Sequence, residues 1–231
     1  MGNTNSTLAD GLTLARDGAR RVRCAVDPAT LHAVAAALPA LAPDRAGARL
    51  HGVAALRPIL ASSGPVGAVA ASVLGAGCRP VRAILFDKTE AMNWALGWHQ
   101  DRTIAVLTRI EVEGFGPWTV KNGIPHVAPP FALLAGMVTL RLHLDRVTAA
   151  NAPLLIAPGS HRLGRIAGPA VAEAVRSCGR VACLAEAGDV WLYATPILHA
   201  SEAASEPVHR RVLQVDFAAG GLPSGLEWYG V

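Results

Sequence analysis

The chain has 231 residues, of which 52% are hydrophobic and 16% are charged, and its formal net charge is +4. This composition excludes a disordered chain and allows one domain with a substantial hydrophobic core. The basic residues are scattered without interleaved aromatic residues, and no stretch is apolar for long enough to span a bilayer, so we expect neither nucleic-acid binding nor membrane insertion.

The first third of the chain is predicted to be mainly helical. Asp27 followed by Pro28 is typical of a helix start, and this helix is expected to reach residue 38. A second helix is predicted over residues 48–60, where apolar residues recur on one helical face. A glycine and a proline then interrupt the chain before a third helix over residues 66–74.

From residue 80 onward the hydrophobic pattern changes to that of short strands. The predicted strands cover residues 81–86, 103–108, 137–144, 154–157, 180–184, 190–193 and 211–217. In the third of these, Val138, Leu140, Leu142 and Leu144 alternate with polar residues and share one face. Many short strands joined by glycine- and proline-containing turns indicate a β-barrel or β-sandwich. We therefore predict a single domain over residues 1–231, with a mainly helical part at 1–78 and a β-rich core at 79–220.

His99 and Asp101 are the first candidate metal ligands. Alternate residues of a strand point to the same face, so these two side chains can bind one ion together. A His-x-Asp pair with one distant histidine leaves half of an octahedral iron free, which oxygen chemistry requires. A structural zinc site would instead be closed, usually by thiolates. The alternative is that the pair consists of two polar residues at the mouth of a barrel.

His143 and Asp145 form a second His-x-Asp pair on a predicted strand, and they compete for the same role. His143 could instead lie on the polar face of its strand beside Arg141. His161, in a turn, and His126, in a proline-flanked loop, are further candidates.

His199 is the best candidate for the third ligand, because it follows a predicted strand and its turn. Arg210 begins the next predicted strand and can lie antiparallel beside His199. A guanidinium there can form a bidentate pair with a carboxylate. Otherwise Arg210 and Arg211 would be a solvated pair at the end of a strand.

Taken together, the motifs resemble the phytanoyl-CoA dioxygenase (PhyH) family of Fe(II)- and 2-oxoglutarate-dependent oxygenases. They are Trp98-His99-Gln100-Asp101, Arg141-Leu142-His143-Leu144-Asp145, Pro158-Gly159-Ser160-His161, Gly188-Asp189-Val190, and His199-Ala200-Ser201 with Arg210-Arg211. They occur in the order of the family across residues 80–217. The resemblance implies an α+β, mainly β fold, with a double-stranded β-helix (jelly-roll, cupin-like) core over residues 79–220 and the N-terminal helices packed outside it.

The resemblance also implies which residues bind the metal. In this family the first two ligands come from an early strand of the barrel and the third from a late one. More predicted strands separate Asp101 from His199 than separate Asp145 from it. This favours His99, Asp101 and His199 as the catalytic Fe(II) ligands.

Four further residues are implied to contact the co-substrate, 2-oxoglutarate. Arg210 would bind its distal carboxylate, assisted by the hydroxyl of Ser201, and Gln100 would border it. Arg141 would line the same cavity and contact either 2-oxoglutarate or an acidic group of the substrate. One departure from the family is Asn151-Ala152-Pro153, where Asn-Gly-Pro is usual.

The function implied by the resemblance is hydroxylation of a small-molecule substrate, with O₂ as oxidant and succinate and CO₂ as co-products. Asp101 favours hydroxylation, since halogenating relatives usually have a small residue there, although desaturation and epimerisation use the same triad. The alternative is a non-catalytic or differently metallated cupin-like protein that binds a small molecule. The chain has no secretory signal pattern, so we expect a cytoplasmic protein, and its sequence names neither the substrate nor the oligomeric state.

Aromatic residues near the first motif have two interpretations. Trp94, Trp98, Phe115, Trp118 and the loop of residues 122–130 could form an apolar lid over the site. Equally, these aromatic residues could simply pack in the core.

Overall fold

Antiparallel strands form most of the regular structure in the computed structural model, which describes residues 10–42 and 45–231. Short helices accompany them, so the prediction of a mainly β fold with some helices is confirmed. The first nine residues of the segment predicted to be mainly helical lie outside the described residues. Among the described residues, no helix has the length and apolarity needed to cross a membrane.

The N-terminal part contains strands as well as helices. Its elements are helix α1 (Leu14–Asp17), strand β1 (Ala19–Val22), helix α2 (Pro28–Ala37), strand β2 (Gly47–Leu50), a 3₁₀ turn (Ala54–Leu56), helix α3 (Arg57–Leu60) and helix α4 (Gly67–Leu74). The predictions of α2 and α4 are confirmed, and the side chain of Asp27 caps α2 by accepting from the backbone N–H of Thr30 at 2.7 Å.

The helix predicted over residues 48–60 is wrong in its first half. This segment begins within β2, which pairs with the next strand of the chain through Gly47 to Leu50. The apolar residues that suggested a helical face pack on the same hydrophobic core, but they do so from a strand, a 3₁₀ turn and a short helix. Pairing with a neighbouring strand therefore overrides the local pattern.

The remaining strands follow in chain order. They are β3 (Arg79–Lys88), β4 (Leu96–His99), β5 (Ile104–Ala105), β6 (Trp118–Lys121), β7 (Ile124–Val127), β8 (Val138–His143), β9 (Leu154–Ile156), β10 (Val181–Cys183), β11 (Val190–Ala194), β12 (His199–Ser201) and β13 (Arg210–Ala218). Helix α5 (Phe131–Ala135) precedes β8, and helix α6 (Val171–Cys178) precedes β10. Each of the seven predicted strands has a counterpart. The others, β1, β2, β4, β6, β7 and β12, were not among them, although a strand was assumed at His99.

These strands form three sheets. The six-stranded sheet has the order β1-β11-β8-β13-β3-β2, and the four-stranded sheet has the order β10-β9-β12-β4. A small third sheet has the order β5-β7-β6.

Both faces of the six-stranded sheet are covered. Its outer face carries Leu140, Leu142 and Leu213, which pack against apolar residues from α2, α3 and α4. Its inner face carries Trp191 and Tyr193, which pack against residues of the four-stranded sheet. The alternation in β8 therefore separates two buried environments rather than a core from solvent, and all six residues of β8 are buried. Several polar and charged residues face this interior, and they build the site.

Candidate metal and anion site

Two histidines and an aspartate meet at one end of the four-stranded sheet. His99 ends β4 and His199 begins β12, and these two residues are directly paired across the strands. Their ring centroids lie 4.2 Å apart. The candidate ligand atoms of His99, Asp101 and His199 all lie within 4.8 Å of one another. The three side chains can therefore share one metal ion.

Backbone carbonyls fix the orientation of both imidazoles. The Nδ1 atom of His99 lies 2.8 Å from the carbonyl oxygen of Gly97, and that of His199 lies 3.0 Å from the carbonyl oxygen of Ile197. Because a carbonyl only accepts, Nδ1 donates in both rings and Nε2 keeps its lone pair. Burial lowers the pKa of His199 to about 4, so its ring is neutral at physiological pH. Both rings are thus prepared as metal ligands.

Asp101 lies two residues beyond the end of β4, and not within a strand as the sequence suggested. Its carboxylate accepts from Arg82 Nη2 at 3.1 Å, and Arg82 Nε donates to Asp216 at 2.6 Å. Thr139 Oγ1 donates to the other oxygen of Asp216 at 3.0 Å. Although burial opposes its ionisation, Arg82 lowers the pKa of Asp101. The carboxylate is therefore held ionised beside the two histidines.

The triad opens into a cavity of about 360 Å³ between the sheets. Among the residues that the structure describes, its lining contains six cationic side chains and one carboxylate, that of Asp101. The cationic residues are Arg49, Arg82, Lys88, Lys121, Arg141 and Arg210. Such a cavity favours anionic ligands.

Arg210 and Arg141 form the inner end of this positive cavity. Both side chains are buried, and neither Arg210 Nε nor Arg141 Nε has a hydrogen-bond partner. Arg210 Nη1 donates to the carbonyl oxygen of Ala152, and Arg141 Nη1 donates to Gln214 Oε1 at 2.9 Å. Burial first, and then the charge of Arg141, lowers the pKa of Arg210. A carboxylate placed here would satisfy both unpaired donors, so the residues fit a 2-oxoglutarate site.

Ser201 lines the cavity on the same side as Lys88, a residue to which the sequence reasoning gave no role. Lys88 is buried in β3 and is the strand partner of Arg210. Its ammonium group donates to Ser201 Oγ at 3.1 Å, to the carbonyl of Trp94 at 2.6 Å and to the carbonyl of Glu202 at 2.8 Å. Lys88 thus ties the loop before β4 to the end of β12. Lys88 is one of only two lysines in an arginine-rich chain, and this was the available signal.

Gln100 lies outside the cavity lining, and its amide is fully engaged elsewhere. Its Nε2 donates to the carbonyls of Gly164 and Pro196, at 3.0 and 2.8 Å, and its Oε1 accepts from the backbone N–H of Ile166 at 2.9 Å. These bonds anchor the segment between His99 and Asp101. Gln100 supports the ligands rather than facing the cavity.

The rival ligand pair is separated in space. Asp145 forms an ion pair with Arg211 at 2.7 Å, on the side of β13 away from the cavity. His143 is buried in the interior without a hydrogen-bond partner, and it does not line the cavity. The described residues contain one group of three potential ligands, and neither His143 nor Asp145 belongs to it. His126 and His161 also lie outside the lining.

The aromatic residues divide between the two interpretations. Trp94 lines the cavity, and its ring lies 4.8 Å from the ammonium of Lys88. Trp98, Phe115 and Trp118 instead pack against hydrophobic clusters away from the triad. Of the loop at residues 122–130, Asn122 reaches the cavity, and much of the remainder forms β7.

A model of the family described as Phytanoyl-CoA dioxygenase (PhyH) matches residues 14–212 of the chain. No curated protein sequence gives a significant match.

Solved structures share the fold at low sequence identity. AviO1 from Streptomyces viridochromogenes Tue57 is 18% identical, with a TM-score of 0.64 over 97% of this chain and 99% of that chain. The epimerase SnoN from nogalamycin biosynthesis, in complex with Fe³⁺, alpha ketoglutarate and nogalamycin RO, is 16% identical, with a TM-score of 0.63 over 92% and 88%. HygX from Streptomyces hygroscopicus, with nickel and 2-oxoglutarate bound, is 11% identical, with a TM-score of 0.59 over 94% and 87%.

Proposed function

Because the chain belongs to the phytanoyl-CoA dioxygenase (PhyH) family, we propose that it is an Fe(II)- and 2-oxoglutarate-dependent dioxygenase. The family is one of oxygenases that use these two components, and structural neighbours contain iron or nickel together with the 2-oxo acid. We further propose that the facing sheets form the double-stranded β-helix of the family and that residues 1–231 are one domain.

One observation carries this proposal: the His99, Asp101 and His199 side chains converge beside a cavity whose inner end holds a buried arginine. Among the described residues, this arginine, Arg210, forms no ion pair with a carboxylate. Two imidazoles and one carboxylate can bind Fe(II) on one face and leave the other positions open. Arg210 supplies a buried cation at the inner end of the cavity, where it suits the distal carboxylate of 2-oxoglutarate. A metal-dependent hydrolase or isomerase would not need this buried cation, and a protein that only binds a small molecule would not need the three metal ligands.

One group of residues binds the metal. His99, Asp101 and His199 hold the metal, and the carbonyls of Gly97 and Ile197 keep both imidazoles in the ligand tautomer. The metal and the 2-oxo acid together supply the oxidising chemistry.

The co-substrate is held by a second group of residues. Arg210 binds the distal carboxylate of the co-substrate, and Arg141 adds positive charge beside this carboxylate. Ser201 borders the co-substrate, and its hydroxyl is positioned by a hydrogen bond from Lys88. Walls from two sheets limit the access of water to this end of the cavity.

Hydroxylation of a small molecule is the reaction that we propose. Asp101 is itself a metal ligand at the position where halogenating relatives usually have a small residue. Its presence favours return of a hydroxyl group over halogen transfer. The neighbour SnoN is an epimerase, so the fold also carries other outcomes.

The test begins with binding and ends with turnover. Adding Fe(II) and 2-oxoglutarate to the protein under anaerobic conditions should give the weak visible charge-transfer band of the chelate. Exposure to O₂ with a library of small molecules should then form succinate, and the band and the turnover should both be lost in His99→Ala and Asp101→Ala. Undiminished turnover in either variant contradicts the assignment. A colourless protein that retains zinc favours a hydrolase or a binding protein instead.

A further inference from the structure

The chain has only two lysines, Lys88 and Lys121, and both of them line the cavity. Every other residue of the lysine and arginine class is an arginine, and some arginines line the cavity while others, such as Arg57 and Arg180, are exposed. Lys88 is explained by its bonds to Ser201 and to two backbone carbonyls. Lys121 is not explained by the proposed cofactor site, and neither is Arg49.

The positive charge of the cavity exceeds what Fe(II) and 2-oxoglutarate can use. The charge of Fe(II) and that of the 2-oxoglutarate dianion cancel. Binding of both therefore leaves the net positive charge of the cavity lining unchanged. Asp101 and Asp216 both contact Arg82, and even with both carboxylates ionised the six cationic side chains exceed them by four charges. Among the described residues, the five cationic lining residues other than Arg82 form no ion pair with a carboxylate. The cavity therefore has enough positive charge to bind a further anion.

Arg49 and Lys121 lie on two different sheets but face the same space. Arg49 is in the edge strand β2, where it is the partner of Ile84 on the inner face of the six-stranded sheet. Lys121 ends β6, at the edge of the small sheet. Arg49 Nε is buried and has no hydrogen-bond partner, whereas Lys121 Nζ donates to Thr103 Oγ1 at 3.3 Å.

We propose that Arg49 and Lys121 form a subsite for a carboxylate or phosphate group of the prime substrate, so that the enzyme acts on anionic small molecules. This inference rests on the proposed function, since it takes Arg210 to be occupied by 2-oxoglutarate. A guanidinium and an ammonium from separate sheets can hold both oxygens of one anion. The bound anion would fix which carbon of the substrate is presented to His99, Asp101 and His199.

The two cations also repel their neighbours in the absence of an anion. Burial, followed by the charge of Arg82, lowers the pKa of Arg49. The same two causes lower the pKa of Lys121, and the nearby Asp101 only partly opposes them. An anion bound between Arg49 and Lys121 relieves this repulsion, so charge contributes directly to substrate affinity.

The experiment measures binding of simple anions to protein that is saturated with Fe(II) and 2-oxoglutarate under anaerobic conditions. The probes are benzoate, its neutral analogue benzamide, and inorganic phosphate, titrated by calorimetry. The variant is Arg49→Gln/Lys121→Gln. The control is Arg57→Gln/Arg180→Gln, which removes the same charge from exposed residues outside the cavity. The single variant Lys121→Gln alters only an exposed side chain and guards against misfolding of the double variant.

Wild-type protein should bind benzoate or phosphate at least about tenfold more tightly than benzamide. The double variant should lose about tenfold in anion affinity or more, Lys121→Gln should lose part of it, and the control should lose none. A preference for benzoate identifies a carboxylate substrate, and a preference for phosphate identifies a phosphate ester.

Equal binding of benzamide, unchanged affinity in the double variant, or no binding of either anion overturns the subsite. The charge-transfer band is read separately in every sample. Its absence from the wild type refutes the proposed function, whereas its presence without anion binding refutes only the subsite.

Discussion

Arg82 and Asp101 form an ion pair at the wall of the cavity, with 3.1 Å between Arg82 Nη2 and Asp101 Oδ2. The same guanidinium contacts Asp216 at 2.6 Å, and Asp216 is its partner across the strands. Asp216 in turn lies opposite Thr139, which donates to it at 3.0 Å. One row of the six-stranded sheet therefore positions a candidate metal ligand that belongs to a loop. Partners of this kind set both the orientation and the ionisation of a ligand.

Arg82→Gln should weaken metal binding although Arg82 is not itself a ligand. Without the guanidinium, Asp101 and Asp216 face each other without a counter-ion, and Asp101 loses its fixed orientation. Loss of such a partner typically costs about 10- to 100-fold in metal affinity. Calorimetric titration with Co(II) measures the effect.

Arg146→Gln is the control for this experiment, because Arg146 pairs with Glu186 at the exposed surface. Circular dichroism tests whether Arg82→Gln is folded. A folded Arg82→Gln protein with wild-type Co(II) affinity would show that Asp101 needs no support from Arg82.

Arg210→Met should impair binding of 2-oxoglutarate while leaving metal binding intact. Truncating one member of a buried charge pair costs about 2–5 kcal/mol, which corresponds to roughly 30-fold or more in the dissociation constant. The dissociation constant is read from the charge-transfer band at increasing 2-oxoglutarate concentrations. Arg211→Met is the matched control, since the neighbouring Arg211 pairs with Asp145 away from the cavity. If Arg211→Met or Arg141→Met weakens 2-oxoglutarate binding more than Arg210→Met does, the contact with the distal carboxylate is assigned to that residue instead.

The alternation in β8 was readable from the sequence, but its meaning was not. Val138, Leu140 and Leu142 indeed share a face and pack on the main core. Their polar neighbours Thr139 and Arg141 are buried between the sheets. Only the family resemblance, and not the alternation, predicted that Arg141 lines the cavity. Periodicity reports that two faces differ, and only the packing of the second sheet decides whether the polar face meets water or a cavity.

The triad and Arg210 were predicted from motif order, whereas Arg82, Asp216, Lys88 and Arg49 were given no role. These four residues occupy β2, β3 and β13, which are distant in the sequence, and they approach one another only through strand pairing. No local spacing links them. Gln100 gives the converse case, because the family resemblance implied a contact with the co-substrate, whereas its buried amide bonds to backbone groups away from the cavity.

Ala152→Gly should stabilise the protein by about 0.5–1 kcal/mol, although it replaces the better helix and strand former. Ala152 has φ of 48°, in the left-handed region that glycine adopts without strain, and its carbonyl accepts from Arg210 Nη1. Relief of left-handed strain, roughly 1–2 kcal/mol, exceeds the entropic cost of glycine. Chemical denaturation measures the difference. Ala149→Gly in the same turn has no such strain to relieve and should not stabilise, and equal effects of the two substitutions would contradict the argument.

Lys88 should make the stability of the metal-free protein increase with pH. Burial first, and then Arg210 and Arg141, lowers the pKa of Lys88 to about 8, against 10.5 for the free side chain. Between these values the unfolded chain binds more protons than the folded one, so the free energy of unfolding rises as pH increases. The cost of keeping Lys88 charged is thus fully present below pH 8 and is removed progressively up to about pH 10.5. The total change approaches about 3 kcal/mol.

Urea denaturation at pH 7, 8, 9 and 10 measures this slope in the wild type and in Lys88→Met. The variant has no group at this position to titrate. The free energy of unfolding of the wild type minus that of the variant should therefore increase with pH across that window. Exposed cations such as Arg57 contribute equally in both proteins and cancel from the comparison. Parallel curves would mean that Lys88 keeps its proton in the folded state, stabilised by Ser201 and the carbonyls of Trp94 and Glu202.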